Sequence, residues 1–127
     1  MKFTIPSRLD GLNTYTLACR NNRYGGNVCK KKNQKIVSLA IQQAQAIGAL
    51  KPVENYPVGL KIKWFEKDSR RDWDNVTFAK KFIQDSLVNE GILMNDSRKF
   101  VSWGTDDVLV DKENPRIEVE IIENGAR

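Results

Sequence analysis

The sequence predicts an α+β fold, a single mixed sheet packed with two main helices, and three observations carry that expectation. Short segments near both ends and in the middle of the chain alternate apolar and polar residues with period two, whereas two longer segments repeat apolar residues at helical spacing. The 127 residues lie within the ~100 to 200 of a single domain. No repeat, low-complexity tract or linker divides them, so residues 1–127 are read as one domain.

Taken in order, "KFTI" sets Phe3 and Ile5 on one side and predicts a first strand that stops at Pro6. Ile36, Leu39, Ala40, Gln43 and Ile47 then recur at helical spacing and predict a long helix over roughly 31–50. The Gly25-Gly26 pair is expected to interrupt a shorter helix before it, because two glycines weaken a helical interior. "VGLKIKWFEK" puts Val58, Leu60, Ile62 and Trp64 on one face and Lys61 and Lys63 on the other, a half-buried strand. From Asn75 to Glu90, Val76, Ala79, Ile83 and Leu87 mark an amphipathic helix with Gly91 in the C′ position. "KFVSW" and "DVLVD" read as short strands around Gly104, with Asp106 and Asp107 as turn residues, and "RIEVEII" as a last strand.

The composition narrows the chemistry. A net charge of +5 and a pI near 9.3 favour a polyanionic partner. The chain holds no histidine, which removes Ser-His-Asp and Cys-His nucleophiles, His-ligated zinc and histidine general bases. Carboxylates, lysines and hydroxyls are what is left. Cys19 and Cys29 match neither a zinc spacing nor a disulfide framework, so a reduced cytoplasm is the expected compartment. The N-terminus lacks the ~7 to 15 residue apolar region of a secretory signal. No segment approaches the ~18 apolar residues of a membrane span, and no membrane partner is expected.

The motif that asks for an explanation is "RRDWDN", Arg70 to Asn75. In an extended segment Asp72 and Asp74 project together with Cα atoms ~6.5 to 7 Å apart, Trp73 pointing away. Convergent carboxylates repel unless a cation or proton lies between them, and Mg²⁺ takes such hard oxygen ligands. The plainer reading is that Asp74 or Asn75 caps the following helix while Asp72 pairs with Arg70 or Arg71. An EF-hand is excluded by Val76 and Thr77, where the loop needs an acid or Asn and then a glycine. "DWDNV" fits the DxDx(V/T) pattern of aspartate-nucleophile phosphatases, but "EKDSRR" rather than a buried apolar strand precedes it, and the chain is short for such an enzyme. A third acid, Asp96, follows the helix; across its ~24 Å it reaches Asp74 only from a second protomer or by a fold-back beyond Gly91.

With these residues in hand, "RRDWDN…KKFIQDSLVNEGILMNDS" resembles the RusA-type Holliday-junction endonucleases, in their phage and prophage versions. The resemblance covers Arg70 to Ser97 well and the flanks through element order and length. It implies a RusA-like fold, Mg²⁺ with Mn²⁺ as a substitute, metal ligands at Asp72, Asp74 and Asp96, and an active-site lysine on the helix. Counting back from "DSL" and Gly91 puts that lysine at Lys81, with Lys80 competing, in a helix about three residues longer in its first turns than shorter family members have. It further implies a homodimer nicking branched DNA in recombination and repair, in a bacterial host cell. A two-fold dimer suits a near-symmetric four-way junction.

Phosphate contacts are expected from Arg20, Arg23, Lys30, Lys31, Lys32 and Lys35, with Asn21, Asn22 and Asn33 interleaved, and from Arg70 and Arg71 beside the acids. A solvated helix end is the alternative for that cluster. Tyr24 and Trp73 are either base-stacking rings or core residues. A branched-DNA-binding protein without catalysis and a small phosphatase are the competing functional readings.

Overall fold

The computed structural model describes residues 1–123. Strands β1 (Lys2–Ile5), β2 (Val58–Glu66), β3 (Val101–Val110) and β4 (Arg116–Ile122) alternate with helices α1 (Leu12–Asn21), α2 (Gly25–Ala46), α3 (Trp73–Thr77) and α4 (Lys80–Asn89). The strands form one mixed sheet in the order β1-β4-β2-β3, in which β2 and β3 run parallel and the other pairs antiparallel. This is the α+β architecture that the patterning predicts. No helix among the described residues is long and apolar enough to cross a membrane.

The period-two strands bury one face. Phe3 and Ile5 of β1, Leu60, Ile62 and Trp64 of β2, and Ile117, Val119 and Ile121 of β4 join one core with Val37 and Ile41 of α2 and with Phe82, Ile83 and Leu87 of α4. Each such fully buried side chain contributes roughly 1.5–3 kcal/mol. The other face is wet, and there Lys61 and Lys63 stand opposite Glu120 and Glu118 of β4, with Asp107 of β3 beside Lys63. Opposite charges at cross-strand positions add ~0.2–1 kcal/mol per pair.

A parallel β2–β3 pair needs a crossover connection, and α3 and α4 supply it. Topology thereby sets the position of everything in the motif. The chain leaves β2 at Glu66, makes the acidic turn at that end of the sheet, and returns along α4 to start β3 beside Val58.

Several boundaries differ from expectation, for tertiary reasons. The long helix begins at Gly25, not near Lys31, and the break before it falls at residues 22–24, where the Tyr24 amide donates to Asn22 Oδ1 at 2.9 Å. The two glycines open α2 because α1 lies against them: a Cβ on Gly25 would sit 1.9 Å from the Ala18 carbonyl oxygen, and one on Gly26 2.5 Å from Cys19 Sγ. Close packing overrides the low helix propensity of the pair. The helix ends at Ala46, short of the predicted end, because Gly48 takes φ 76° and its neighbour Ala49 donates back to the Ala44 carbonyl at 2.8 Å, a Schellman closure. Gly91 does the same for α4, with φ 78° and Ile92 donating to Leu87 at 2.9 Å. The buried stripe of α2 is Val37, Ala40, Ile41 and Ala44, while Leu39 and Ile47, predicted to face inward, are 51% and 82% exposed.

The amphipathic helix predicted over 75–90 is two helices that meet at Phe78 and Ala79. Tightened bonds there, from the Ala79 amide to Val76 and from Lys81 to Phe78, accompany an aromatic cluster in which the Phe78 ring centroid lies 5.2 Å from that of Tyr15 and, edge to face, 5.7 Å from that of Phe82. The two short strands expected around Gly104 are one strand, β3, and Asp106 and Asp107 lie inside it rather than in a turn. Gly104 sits opposite Leu60 without breaking the ladder.

The contact of α1 with α2 yields a test. Gly25→Ala must separate the two helices, because the obstacle is backbone that cannot rotate away; the variant is expected to lose about 1–3 kcal/mol of stability, visible as a lowered thermal midpoint by circular dichroism.

Candidate functional site

The acidic turn is built from the end of β2 outward. Glu66 closes β2 with its side chain only 5% exposed. A carboxylate removed from water to that extent needs a full set of partners. Arg71 provides it: Nε and Nη2 donate to the two Glu66 oxygens at 2.7 Å each, and Nη1 donates to the Leu9 carbonyl at 3.0 Å. Arg8 Nη1 reaches the same carboxylate at 3.5 Å. The planar fork suits this task, and lysine could not repeat it. Arg71, expected among the phosphate contacts, thus has its donors directed at Glu66 and Leu9, while Arg70 is 86% exposed and leans on Asp68 at 3.7 Å.

Asp72 follows Arg71 as the N-cap residue of α3 in extended conformation, and Asp74 belongs to the first helical turn. The extended geometry expected through residue 74 therefore stops at Asp72, since successive residues of a helix diverge by about 100°. Both acids are exposed. Neither needs a local hydrogen bond to be there, because negative charge at the start of a helix is favourable in itself. Asp72 makes no side-chain cap bond.

Asn75 is a cap, but not of its own helix. Its Oδ1 accepts from the Asn13 amide at 2.9 Å, so it satisfies an open donor in the first turn of α1, 62 residues away in sequence. Gly11, the N-cap residue of α1, has no side chain to do this, and a Cβ there would lie 2.5 Å from the Asn75 oxygen. Between these anchors, Asp10 accepts from Asn33 Nδ2 at 2.9 Å and pairs with Lys32 at 3.2 Å on α2. Residues 8–13 are therefore a strap that ties the acidic turn to α1 and α2. Burial opposes ionisation of Asp10, but the Asn33 amide and Lys32 ammonium outweigh it and hold the carboxyl below its ordinary value. Burial and the neighbouring Asp10 push the Cys29 thiol up. Cys19 and Cys29 are both free thiols.

Behind α3 comes a second carboxylate and cation. Asp106 of β3 faces inward beside Ile62, its side chain 8% exposed, accepting Trp64 Nε1–H at 2.9 Å and the Lys80 ammonium. Lys81, one residue on, is exposed and belongs to a different groove between α2 and α4. That groove gathers Lys30, Gln34, Lys81, Asp85, Asn89 and Asp96, with Lys30 at 3.5 Å and Gln34 at 3.2 Å from Asp85.

The structure thus separates the three acids expected to act together. Asp72 and Asp74 lie past the Glu66 end of β2, whereas Asp96 lines the groove of Lys81 and Asp85 between α2 and α4. Among the described residues no three Asp, Glu, Cys or His side chains are grouped so as to hold a metal. Beyond Gly91 the chain brings Asp96 to Lys81 and Asp85 rather than into such a group with Asp72 and Asp74. The acidic turn by itself still suits Mg²⁺ in one respect: that ion commonly takes only one or two protein carboxylates and completes its shell with water and substrate phosphate oxygens.

The basic residues also divide. Lys30 and Lys32 pair with Asp85 and Asp10, whereas Arg20, Arg23, Lys31 and Lys35 are exposed along the end of α1 and the first half of α2. Tyr24 is 65% exposed with the Arg23 guanidinium 5.5 Å from its ring centroid, and Trp73 is 58% exposed. Neither ring is core. Sequence reasoning missed Glu66, Asp85 and the inward Asp106; only "WFEK", with Glu66 in phase with Trp64, hints at a buried acid.

Two outcomes follow from this geometry. Glu66→Ala leaves Arg71 in a poorly solvated site and is expected to cost about 3–5 kcal/mol, measurable by denaturant unfolding. Asp10, with its folded-state value lowered, stabilises the fold above the ordinary aspartate value near 3.9 and loses that contribution as pH falls through the folded value. The thermal midpoint of Asp10→Asn should accordingly fall less than that of the wild type between about pH 5 and pH 2. The chain matches no protein-family model and no curated protein, so its function has to be argued from these residues.

Proposed function

We propose that this protein is a Mg²⁺-dependent, structure-selective endonuclease that nicks four-way DNA junctions and works as a homodimer. The observation that carries the reading is a linkage: an exposed acidic turn, anchored by Arg71 to Glu66, is joined through Asn75 to a helix pair that presents free cations and an exposed ring. Arg20, Arg23, Lys31 and Lys35 contact phosphates, and Tyr24 stacks on a base where strands exchange. The strap of residues 8–13 keeps that arm at a set distance from Asp72 and Asp74.

Asp72 and Asp74 are the residues that would hold Mg²⁺, and the bound ion supplies an activated water and charge neutralisation at the phosphoryl oxygens. The remaining work falls to the chain. Asp72 and Asp74 stand open to solvent, Arg71 is held by its fork on Glu66, and a lysine of α4 offsets charge building on the phosphate. The chemistry uses no histidine. Asp96 enters such a site from a second copy of the chain, since within one chain it lines the groove of Lys81 and Asp85 and joins no group with Asp72 and Asp74.

One observation favours a second reading. The separation of Asp96 from Asp72 and Asp74 is what a branched-DNA-binding module without catalysis would also present. Labelled synthetic junction and matched duplex, incubated with and without Mg²⁺, separate the two. Paired nicks in the junction alone are expected, lost without metal and reduced at least 100-fold in Asp74→Asn. Mixing inactive Asp74→Asn with inactive Asp96→Asn should restore nicking, because one site of each heterodimer is then intact. Tight junction binding with no nick in any divalent ion sinks the nuclease and leaves the binding module.

A further inference from the structure

The inner face of the sheet is apolar along β2, through Leu60, Ile62 and Trp64, yet it carries two carboxylates, Glu66 and Asp106. Each engages a cation from the crossover. Glu66 takes Arg71, two residues before α3, and Asp106 takes Lys80, three residues after it. The helix with Asp74 in its first turn is thus bracketed front and back, and it packs beside β3, the strand that carries Asp106.

An inward carboxylate is costly. Replacing a buried ion pair by apolar side chains is often neutral or stabilising, so core packing does not account for Asp106. What the carboxylate does achieve is direction. Held at one oxygen by the Trp64 indole, it offers the other to Lys80, and the ammonium is drawn to the β3 side of the crossover, away from the groove that holds Lys81. Lys80 remains 38% exposed. It hangs at a cleft of about 230 Å³ that Gln84, Ser102 and Thr105 also line, with the Asp106 carboxylate beside the one cation.

We propose that Asp106 is a positioning residue that makes Lys80, rather than Lys81, the lysine serving the acidic turn, with the cleft of Lys80, Gln84, Ser102 and Thr105 receiving a phosphate of the bound strand. This rests on the nuclease reading. Lys80 meets the phosphate, and Asp106 acts only through Lys80 by fixing the direction of its amine. Removing the carboxylate leaves the charge of the lysine intact but releases it to solvent, so affinity should persist while rate falls.

The test measures single-turnover nicking and metal-free junction Kd for wild type, Lys80→Ala, Lys81→Ala, Asp106→Asn and the Asp106→Asn/Lys80→Ala pair, each with its thermal melt. Lys80→Ala and Asp106→Asn are expected to slow nicking about 10- to 100-fold with Kd changed less than about threefold. The double variant should be no slower than Lys80→Ala, because a group that acts through the lysine has nothing left to position. Wild-type rates in both single variants, multiplicative losses in the pair, or loss in Lys81→Ala with Lys80→Ala unaffected would each overturn the proposal. Should Asp106→Asn fail to fold, acetylation of native protein decides: Lys80 is expected to react more slowly than Lys81 and to be protected further by junction DNA, and equal reactivity with or without DNA refutes the assignment. Wild type that nicks no junction in Mg²⁺ or Mn²⁺ removes the nuclease reading itself, an outcome distinct from active wild type with indifferent variants.

Discussion

The buried carboxylate of Glu66 constrains most of what surrounds it. A charged group 5% exposed at the end of a core strand is tolerable only with a cation in good geometry, and a two-point guanidinium contact at 2.7 Å meets that demand. Because the cation is Arg71, the turn that follows has little freedom: Asp72 starts one residue later and α3 directly after it. The same arginine reaches Leu9, so the connection between β1 and α1 is drawn to the identical point. One ion pair therefore sets the register of two separate loops.

From that point the strap spreads order outward through hydrogen bonds that sequence neighbours do not make. Asn75 caps α1 from another part of the chain, Gly11 is small because Asn75 occupies its side-chain space, and Asp10 fastens the strap to Asn33 and Lys32. The asparagine of the acidic motif thus has an architectural reason to be asparagine: a side chain that accepts from a helix start while standing next to two exposed carboxylates. It makes the basic helix pair and the acidic turn parts of one rigid unit.

The division of the lysines and arginines is instructive for a basic protein. Lys30, Lys32 and Arg71 are engaged by Asp85, Asp10 and Glu66, so their charge is directed within the fold. Arg20, Arg23, Lys31 and Lys35, by contrast, face solvent together along the end of α1 and the first half of α2.

The sequence by itself determined the elements whose physics is local. Period-two burial in "KFTI", "VGLKIKWFEK" and "RIEVEII", the amphipathic run before Gly91 and the C′ glycine were legible, because side-chain alternation and helix closure depend on near neighbours. It also brought Asp72 and Asp74 to notice by their spacing. What only the tertiary structure decided involves contacts between distant residues: that Gly25 and Gly26 begin a helix because α1 presses on them, that Asn75 caps α1, that Asp106 points inward to Lys80, and that Asp96 lines a groove with Lys81 and Asp85 apart from any group with Asp72 and Asp74. A one-dimensional motif orders its acids along the chain, and the crossover that parallel pairing of β2 with β3 requires then distributes them over different elements.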